Sequence, residues 1–485
     1  MAINGPAATD AKRVETVVRG SQSIPVAHDV DVAVVGAGAA GVAAACTAAE
    51  EDAETLLIDR NGYLGGTSTG GSIATFCGFY DCTVEDRPPR KIVAGFGDRV
   101  LNALRNRDVL QGPTELRDRT NIYAYDPEIL KLVYDHLVLE VGVEPLLNAH
   151  VSDVILDDGT PPAITELIVE TSAGPRVVRA RQYVDASGDG FLAHAAGAAV
   201  LHSPSETQTS TTLFFLGGID EEAARKTDIA AVRDGMRKAT EAGEYDLPKT
   251  DGVFLVIEGR RKAWMNVTDL PGDTTDPGVR TAAEMDGRRQ AEEYHRYFQN
   301  EVPGFEDSYI DHFAAQLGIR ETRKVVGEYV LSHDDFAAGR RFEDAVAYCG
   351  WAREVHDPVT HASEWEWVPD GGHYDIPLRS LIARDVENVA IAGRCAVSLS
   401  EILSGYLLRL GLVPIDPCCD RYRQRFAERG ATMQGDRGSV GRRGRRDQYV
   451  TLVSMPLPIV TKPYSQTGQR HFTFFPRCSK VLATR

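Results

Sequence analysis

The chain has 485 residues, 43% of them apolar and 25% charged, with a formal net charge of −17. That length holds two or three domains, or one large discontinuous one, around an ordinary globular core. The acidic balance argues against nucleic acid and anionic membrane as partners, and no apolar run approaches the ~18 residues of a membrane span.

The first 28 residues are polar and lack the apolar centre of a signal peptide, so they read as a flexible leader and predict a cytoplasmic protein. The cysteines Cys46, Cys77, Cys82, Cys349, Cys395, Cys418, Cys419 and Cys478 form no CxxC and no iron–sulfur or zinc spacing. No metal is expected. Cys77 and Cys82 read as isolated buried thiols, with a redox pair as the alternative.

Val32–Asp59 is the most informative stretch. Val32, Val34 and Val35 form an apolar strand that runs into Gly36-Ala37-Gly38-Ala39-Ala40-Gly41. An alanine-rich helix pattern follows, and a second apolar strand, Thr55–Ile58, ends on Asp59. This is a complete βαβ dinucleotide fingerprint. Gly36 permits the tight turn and Gly38 lets backbone amides approach a pyrophosphate. Gly41 lets helix and strand pack closely, and Asp59 is placed for a ribose diol. The helix N-terminus adds partial positive charge beside the phosphates.

A glycine-rich loop, Asn61–Gly71, comes next. Lys91–Arg107 and Pro127–Val141 carry helical apolar spacing. Val143–Ile155 reads as a strand, and Ala163–Val178 as a hairpin turning at Ser172-Ala173-Gly174. Gln182–Ala186 reads as a further strand, ending in Asp185-Ala186-Ser187-Gly188-Asp189-Gly190. Thr211–Gly217 and Gly252–Ile257 read as strands of another layer, and Thr281–Phe298 as a long helix. Glu321–Leu331 and Ile376–Ile382 read as strands, and Asn388–Ala392 as a short buried strand stopping at Gly393-Arg394.

Together these segments resemble the FAD-dependent oxidoreductases of the glutathione-reductase and fumarate-reductase superfamily, in the branch related to the heterodisulfide-reductase flavoprotein. Four segments carry the resemblance, which spans roughly Asp29 to Glu401. They are Gly36–Asp59; the Gly65–Gly71 loop; Tyr183–Gly190 with Ala195–Ala198; and Ile319–Arg323 with Ile376–Leu381 and Ile391–Cys395.

The resemblance implies an α/β fold: a three-layer, Rossmann-like FAD-binding domain of glutathione-reductase type with an inserted α+β substrate domain. The expected divisions are 29–202 and 319–420 for the FAD-binding domain, 203–318 for the insert and 421–485 for a basic tail. Gly36, Gly38, Ala40 and Gly41 would hold the pyrophosphate, and Asp59, with Arg60 beside it, the adenosine ribose. Gly65, Gly66, Thr67 and Ser68 would pass the ribityl chain and flavin. Val151 would meet the adenine through its backbone, and Gly188 and Asp189 would close that end. Gly393 and Arg394 would approach from the last strand. Some relatives attach FAD through a histidine after the second strand; none lies between Asp59 and Asp81, so FAD is expected to be noncovalent. The iron–sulfur inserts of heterodisulfide-reductase relatives are also absent.

For chemistry, His356, beside Asp357, is the first candidate acid–base group and His373 the second. A solvated loop histidine is the plain alternative. Arg320 and Arg379 are candidate clamps for a carboxylate substrate, or structural partners of Glu321 and Asp375. The segment Trp365-Glu366-Trp367-Val368-Pro369 resembles a halogenase signature, one residue short; aromatic packing is the simpler role. The leading expectation is hydride transfer between a small organic molecule and FAD, with electrons exchanged through a separate donor or acceptor, oxygen or the substrate itself. A monooxygenase or halogenase and an inactive flavin-fold relative are the alternatives. The last arises because the chain departs from the family after Ser404. Pro414 and Pro417 oppose a continuing helix, and Arg421–Arg485 holds fourteen Lys and Arg against three Asp and Glu. That segment carries +11 and the remainder −28. A reading-frame change near Ser404 and an added basic tail both account for it.

Overall fold

The computed structural model describes residues 23–84, 87–116, 119–368 and 372–396. Most of the expected leader, the junction at Ser404, the basic tail and the last three cysteines lie outside the described residues.

The first strand, β1 (Val26–Val35), begins inside the stretch expected as leader, because Val26 and His28 already pair with Val177 and Val178. Helix α1 (Ala39–Glu50) and β2 (Thr55–Ile58) follow, and β1 and β2 pair in parallel from Val32↔Thr55 to Val35↔Ile58. Among the described residues the largest sheet has seven strands. Its parallel part runs Glu144–Leu146, β2, β1, Arg176–Asp185 and Val389–Ile391. The register aligns Val35, Ile58, Asp185 and Ile391 at one edge. Each of these strands therefore releases its chain at the same place: Gly36, Asp59, Ala186 and Ala392. In parallel α/β sheets that edge is where ligands bind.

Two apolar layers cover this sheet. On one side α1, Leu57, Phe96, Leu130, Val133 and Tyr134 form a buried cluster. On the other, Ala33, Leu56, Val151, Leu167, Tyr183, Val325 and Ile376 form a second. The alternation of Ala33 and Val34 between the two clusters is the period-two signature of a sheet buried on both faces. Helix α1 sits unusually near β1. A side chain at Gly41 would place its Cβ 1.8 Å from the Gly36 carbonyl oxygen, so only glycine fits there.

The insert is built on an antiparallel sheet ordered Val253–Ile257, Lys262–Asn266, Phe214–Gly217, Tyr309–Phe313. Phe214, Leu216, Ala263 and Met265 point toward a helical layer containing Tyr294, Tyr297 and Phe298 of the long helix Pro277–Glu301. Leu213, Phe215 and Trp264 point the other way, onto Ile73 and Ala74. Trp264 also donates its indole N–H to the Ser72 carbonyl at 2.7 Å. The insert is thus seated on the exit of the glycine-rich loop. The long helix approaches the chain at Thr212 through Gly287, where a Cβ would fall 1.9 Å from the Thr212 hydroxyl oxygen.

Four expected elements differ. Val143–Ile155 is two strands, Glu144–Leu146 and His150–Leu156, broken where Asn148 takes φ +53°. The hairpin's second strand and Gln182–Ala186 are one strand, Arg176–Asp185, whose outer edge changes partner along its length. Within Glu321–Leu331 only Lys324–Val325 pairs as strand, because Gly327 then abuts the Ser380 carbonyl. Ile376–Ile382 is the end of the strand Tyr374–Pro377 followed by a tight turn, Leu378–Leu381.

Candidate functional site

Two adjoining cavities, of about 780 and 750 Å³ counting the space open to solvent, lie along the carboxyl edge of the sheet and share Gly36, Asp59, Arg60, Ser187 and Arg280. The first is bounded by Ala149–Val151, Phe191 and Thr274; the second continues past Gly38 and Ala40 to Gly66–Ser68, Gln316 and Ile319, with Gly393 and Arg394 opposite. They form one elongated cleft. A wider depression of about 1410 Å³ on the insert, between Thr227 and Tyr297, shares no residue with it.

The cleft is made by backbone turns that only particular residues permit. Gly36 takes φ +102°, and a Cβ there would lie 2.3 Å from the Ala186 carbonyl. Gly38 precedes α1 with ordinary dihedrals and supplies no side-chain cap. The first-turn amides of α1 therefore face the cleft as free donors. A Cβ at Gly38 would meet nothing within 4 Å, because it would stand in the cleft itself. Gly41 and Gly65 are outside the lining. Gly41 serves packing, and Gly65, at φ +103°, donates its amide to the Ala37 carbonyl at 2.7 Å, tying the loop to the turn.

Asp59 is 7% exposed and accepts hydrogen bonds from the Ala37 amide at 2.6 Å and from the Asn61 backbone and side chain at 2.7 and 2.9 Å. It locks the turn after β1 to the end of β2. Val151 is buried in the floor of the first cavity beside the His150–Phe191 ring pair. Asp189 sits under three guanidinium groups. Arg394 pairs with one carboxylate oxygen, while Arg60 and Arg280 stand 3.8 and 4.0 Å from the other. Burial would raise the Asp189 carboxyl, but Arg394, Arg60 and Arg280 outweigh it and hold it below the usual carboxylate range. Arg394 also donates to the carbonyls of Gly188 and Ile319, at 2.8 and 2.7 Å.

The expected chemistry-bearing residues fall elsewhere. Both ring nitrogens of His356 are engaged: Nε2 lies 3.2 Å from Glu354 and Nδ1 3.1 Å from the Ser363 hydroxyl. Lys249 donates to the same hydroxyl at 3.2 Å and pairs with Asp251 at 3.0 Å. The hydroxyl therefore gives its proton to Nδ1 and the Nε2–H points to Glu354, an assignment that follows from the network. Asp357 is not the partner of His356; it caps its own turn through the amides of Val359 and Thr360. Arg320 follows the cleft-lining Ile319 and donates to the Thr209 carbonyl at 2.7 Å, near Glu354. Arg379 pairs with Asp344 and stacks on Tyr329 and Phe342, away from the cleft, and Asp375 pairs with Arg341 instead. His373 packs on Tyr348, also outside the cleft lining. Trp365 and Trp367 pack with Trp351. Cys82 donates to the Gly350 carbonyl at 2.9 Å.

Sequence reasoning missed Asn61, Thr274, Arg280 and Gln316. Asn61 had a signal, since it stands two residues after Asp59 at the end of the ribose-binding strand. The other three come from the insert and reach the cleft only through the tertiary fold.

The fold and the cleft define a dinucleotide-binding flavoprotein. The family model described as FAD dependent oxidoreductase matches residues 31–406, and the chain belongs to that family. Thiamine thiazole synthases of Pyrobaculum aerophilum and Pyrobaculum calidifontis are each 29% identical over 169 residues, 33% of this chain and 56% of theirs. The chain thus spans about half the length of these curated relatives. A geranylgeranyl bacteriochlorophyll reductase-like protein of Thermoplasma acidophilum is similar over 84% of this chain and 80% of its own, at 12% identity and a TM-score of 0.41. The flavin-dependent brominase Bmp2 covers the same shares at 10% identity and a TM-score of 0.40.

FAD is the cofactor of the family, and the residues present fit it. Four arginines and two aspartates line the cleft, a local excess of two positive charges on a chain of net −17. A pyrophosphate carries the matching charge. Gly36, Gly38, Ala40 and the α1 amides would hold it, Asp59 and Val151 would meet the adenosine, and Gly66–Ser68 with Gly393 would bound the ribityl end.

Proposed function

We propose that the protein transfers a hydride between a small organic substrate and noncovalently bound FAD. The observation that carries the reading is the local +2 excess beside the free amides of α1, on an otherwise strongly acidic chain. The flavin supplies the hydride chemistry. The chain's part is to hold the cofactor along the sheet edge and to cover the Gln316–Ile319 end with the insert, which limits water there.

Arg320 is the group we assign to an anionic substrate, since it stands one residue from the cleft-lining Ile319. His356 is a positioning residue. It fixes Glu354 through Nε2–H and is itself fixed by Ser363 and Lys249. Burial would raise the Glu354 carboxyl, but the His356 hydrogen bond and Arg320 outweigh it and hold it below the usual carboxylate range. Glu354 is then an ionised proton acceptor at neutral pH. The protein is expected to act in the cytoplasm and to exchange electrons with a separate donor or acceptor, oxygen or the substrate itself.

The test is anaerobic mixing of the flavin-loaded protein with small hydroxy, amino and unsaturated acids, followed by visible absorbance. Bleaching by one class, with oxidised product at one equivalent per flavin, supports hydride transfer. Substrate conversion that requires oxygen and inserts oxygen or halide supports the monooxygenase or halogenase reading instead.

A further inference from the structure

The inserted domain contributes to the cofactor cleft in a way its role as substrate cover does not explain. Thr274 is 4% exposed, lines the cavity that also holds Asp59, Val151 and Phe191, and its hydroxyl has no hydrogen-bond partner. An orphaned buried hydroxyl is costly, and among the described residues the chain itself supplies no partner for this one. Its neighbour Thr275 is different, with its hydroxyl bonded to Asp273 at 2.8 Å. The loop is not loose. Asp273 lies 3.2 Å from His202, and Leu270 exchanges backbone hydrogen bonds with Ser210 at 2.9 Å.

Arg280 follows in the first turn of the long helix Pro277–Glu301. It lines both cavities, at their junction. Among the described residues its guanidinium makes no hydrogen bond; the Asp189 oxygen nearest it is 4.0 Å away. Arg394 and Thr322 already hold the other Asp189 oxygen. One guanidinium neutralises the Asp189 carboxylate, so three leave two positive charges over, on residues that line the cleft.

We propose that the insert binds the ADP half of the cofactor directly, with Thr274 on the adenosine and Arg280 on the pyrophosphate. This rests on the FAD reading above. The insert is then a clasp as well as a substrate cover, and cofactor loading and seating of the insert are coupled.

The experiment uses full-length protein stripped of flavin, titrated with FAD by flavin fluorescence and with ADP and riboflavin by calorimetry. Arg280→Met keeps the aliphatic stem and Thr274→Val keeps the shape; Arg288→Met, on the same helix and paired with Glu284, is the control. Loss of one charge-assisted hydrogen bond predicts about tenfold weaker binding of FAD and ADP for Arg280→Met, with a shallower salt dependence. Thr274→Val should weaken both by about threefold to tenfold. Riboflavin, which lacks the ADP half, should bind all forms alike, and Arg288→Met should match the wild type. Wild-type binding of FAD and ADP that neither Arg280→Met nor Thr274→Val changes overturns this proposal and leaves the FAD reading standing. Wild-type protein that takes up neither FAD nor ADP overturns the FAD reading, and this proposal with it.

Discussion

Gly38 and Gly41 stand three residues apart in one fingerprint, yet alanine at each should fail for opposite reasons. At Gly38 the backbone has φ −63° and ψ 175°, which any residue adopts. A methyl there meets no atom within 4 Å. Alanine is a poorer helix N-cap than glycine by roughly 0.5–1 kcal/mol. It also lowers the entropy of the unfolded chain by about 0.4–1 kcal/mol. The two effects nearly cancel, so Gly38→Ala should keep its stability within about 1 kcal/mol. Its methyl, however, occupies the space where the pyrophosphate must approach the α1 amides. Losing at least one charge-assisted hydrogen bond weakens FAD binding by about tenfold to a hundredfold.

At Gly41 the balance reverses. Alanine would gain roughly 1 kcal/mol of helix propensity. Its Cβ would fall 1.8 Å from the Gly36 carbonyl oxygen, a backbone atom that no rotamer change moves. The helix must shift by more than an ångström across the cluster of Val34, Leu57 and Tyr134. Overpacking of that kind costs about 1–3 kcal/mol, and here the upper end or more. Thermal and urea unfolding of the flavin-free protein, together with FAD titration, separates the two. A Gly38→Ala protein that binds FAD like the wild type, or a Gly41→Ala protein as stable as the wild type, refutes the reasoning.

Asp59→Asn keeps the shape but turns the side chain toward the Ala37 and Asn61 amides with one acceptor in place of two. It should cost about 1–3 kcal/mol in urea unfolding and weaken FAD binding. Gly287→Ala should destabilise despite its better helix propensity, because Thr212 stands 1.9 Å from the added Cβ; equal or higher stability in thermal unfolding would contradict that. Burial, then Arg320, lower His356 below its usual 6.5, against the opposing pull of Glu354, with Lys249 and Asp251 also facing the cluster. The unfolded chain then binds more protons than the folded one below that value. Stability should therefore be full above pH 6.5 and fall as pH drops through it, by at most about 1.4 kcal/mol per unit from this group. His356→Gln should flatten that segment of the pH profile, and an unchanged slope would remove His356 as its source.

How much of this was legible differs by element. β1, α1 and β2 were readable because each small residue in Gly36–Gly41 answers a local steric demand and each apolar run matches its period. The strand Arg176–Asp185 was split in reading because Arg179, Arg181 and Gln182 interrupt its apolar pattern. Those polar residues fall where the strand's outer neighbour changes from Ile164–Glu170 to Val389–Ile391. Glu321–Leu331 has a strand-like composition but is bent by Gly327 and by contacts at the cleft, which periodicity does not record. His356 was found as a special residue but misplaced in kind. Its sequence neighbour Asp357 suggested a local partner for acid–base work, whereas the partners Glu354, Ser363 and Lys249 are gathered by a strand pairing and by the insert. Arg280 was invisible, since an arginine in the first turn of a charged helix reads as a solvated face until the fold brings it to the cleft.

The central claim is that this cleft holds FAD without a covalent bond. The direct test is the visible absorbance spectrum of the purified full-length protein, followed by denaturation and analysis of the supernatant. The account predicts the two visible-region bands of oxidised flavin, and intact FAD released from the precipitated protein. A colourless protein that fails to take up added FAD, or flavin that stays with the precipitate, would contradict it.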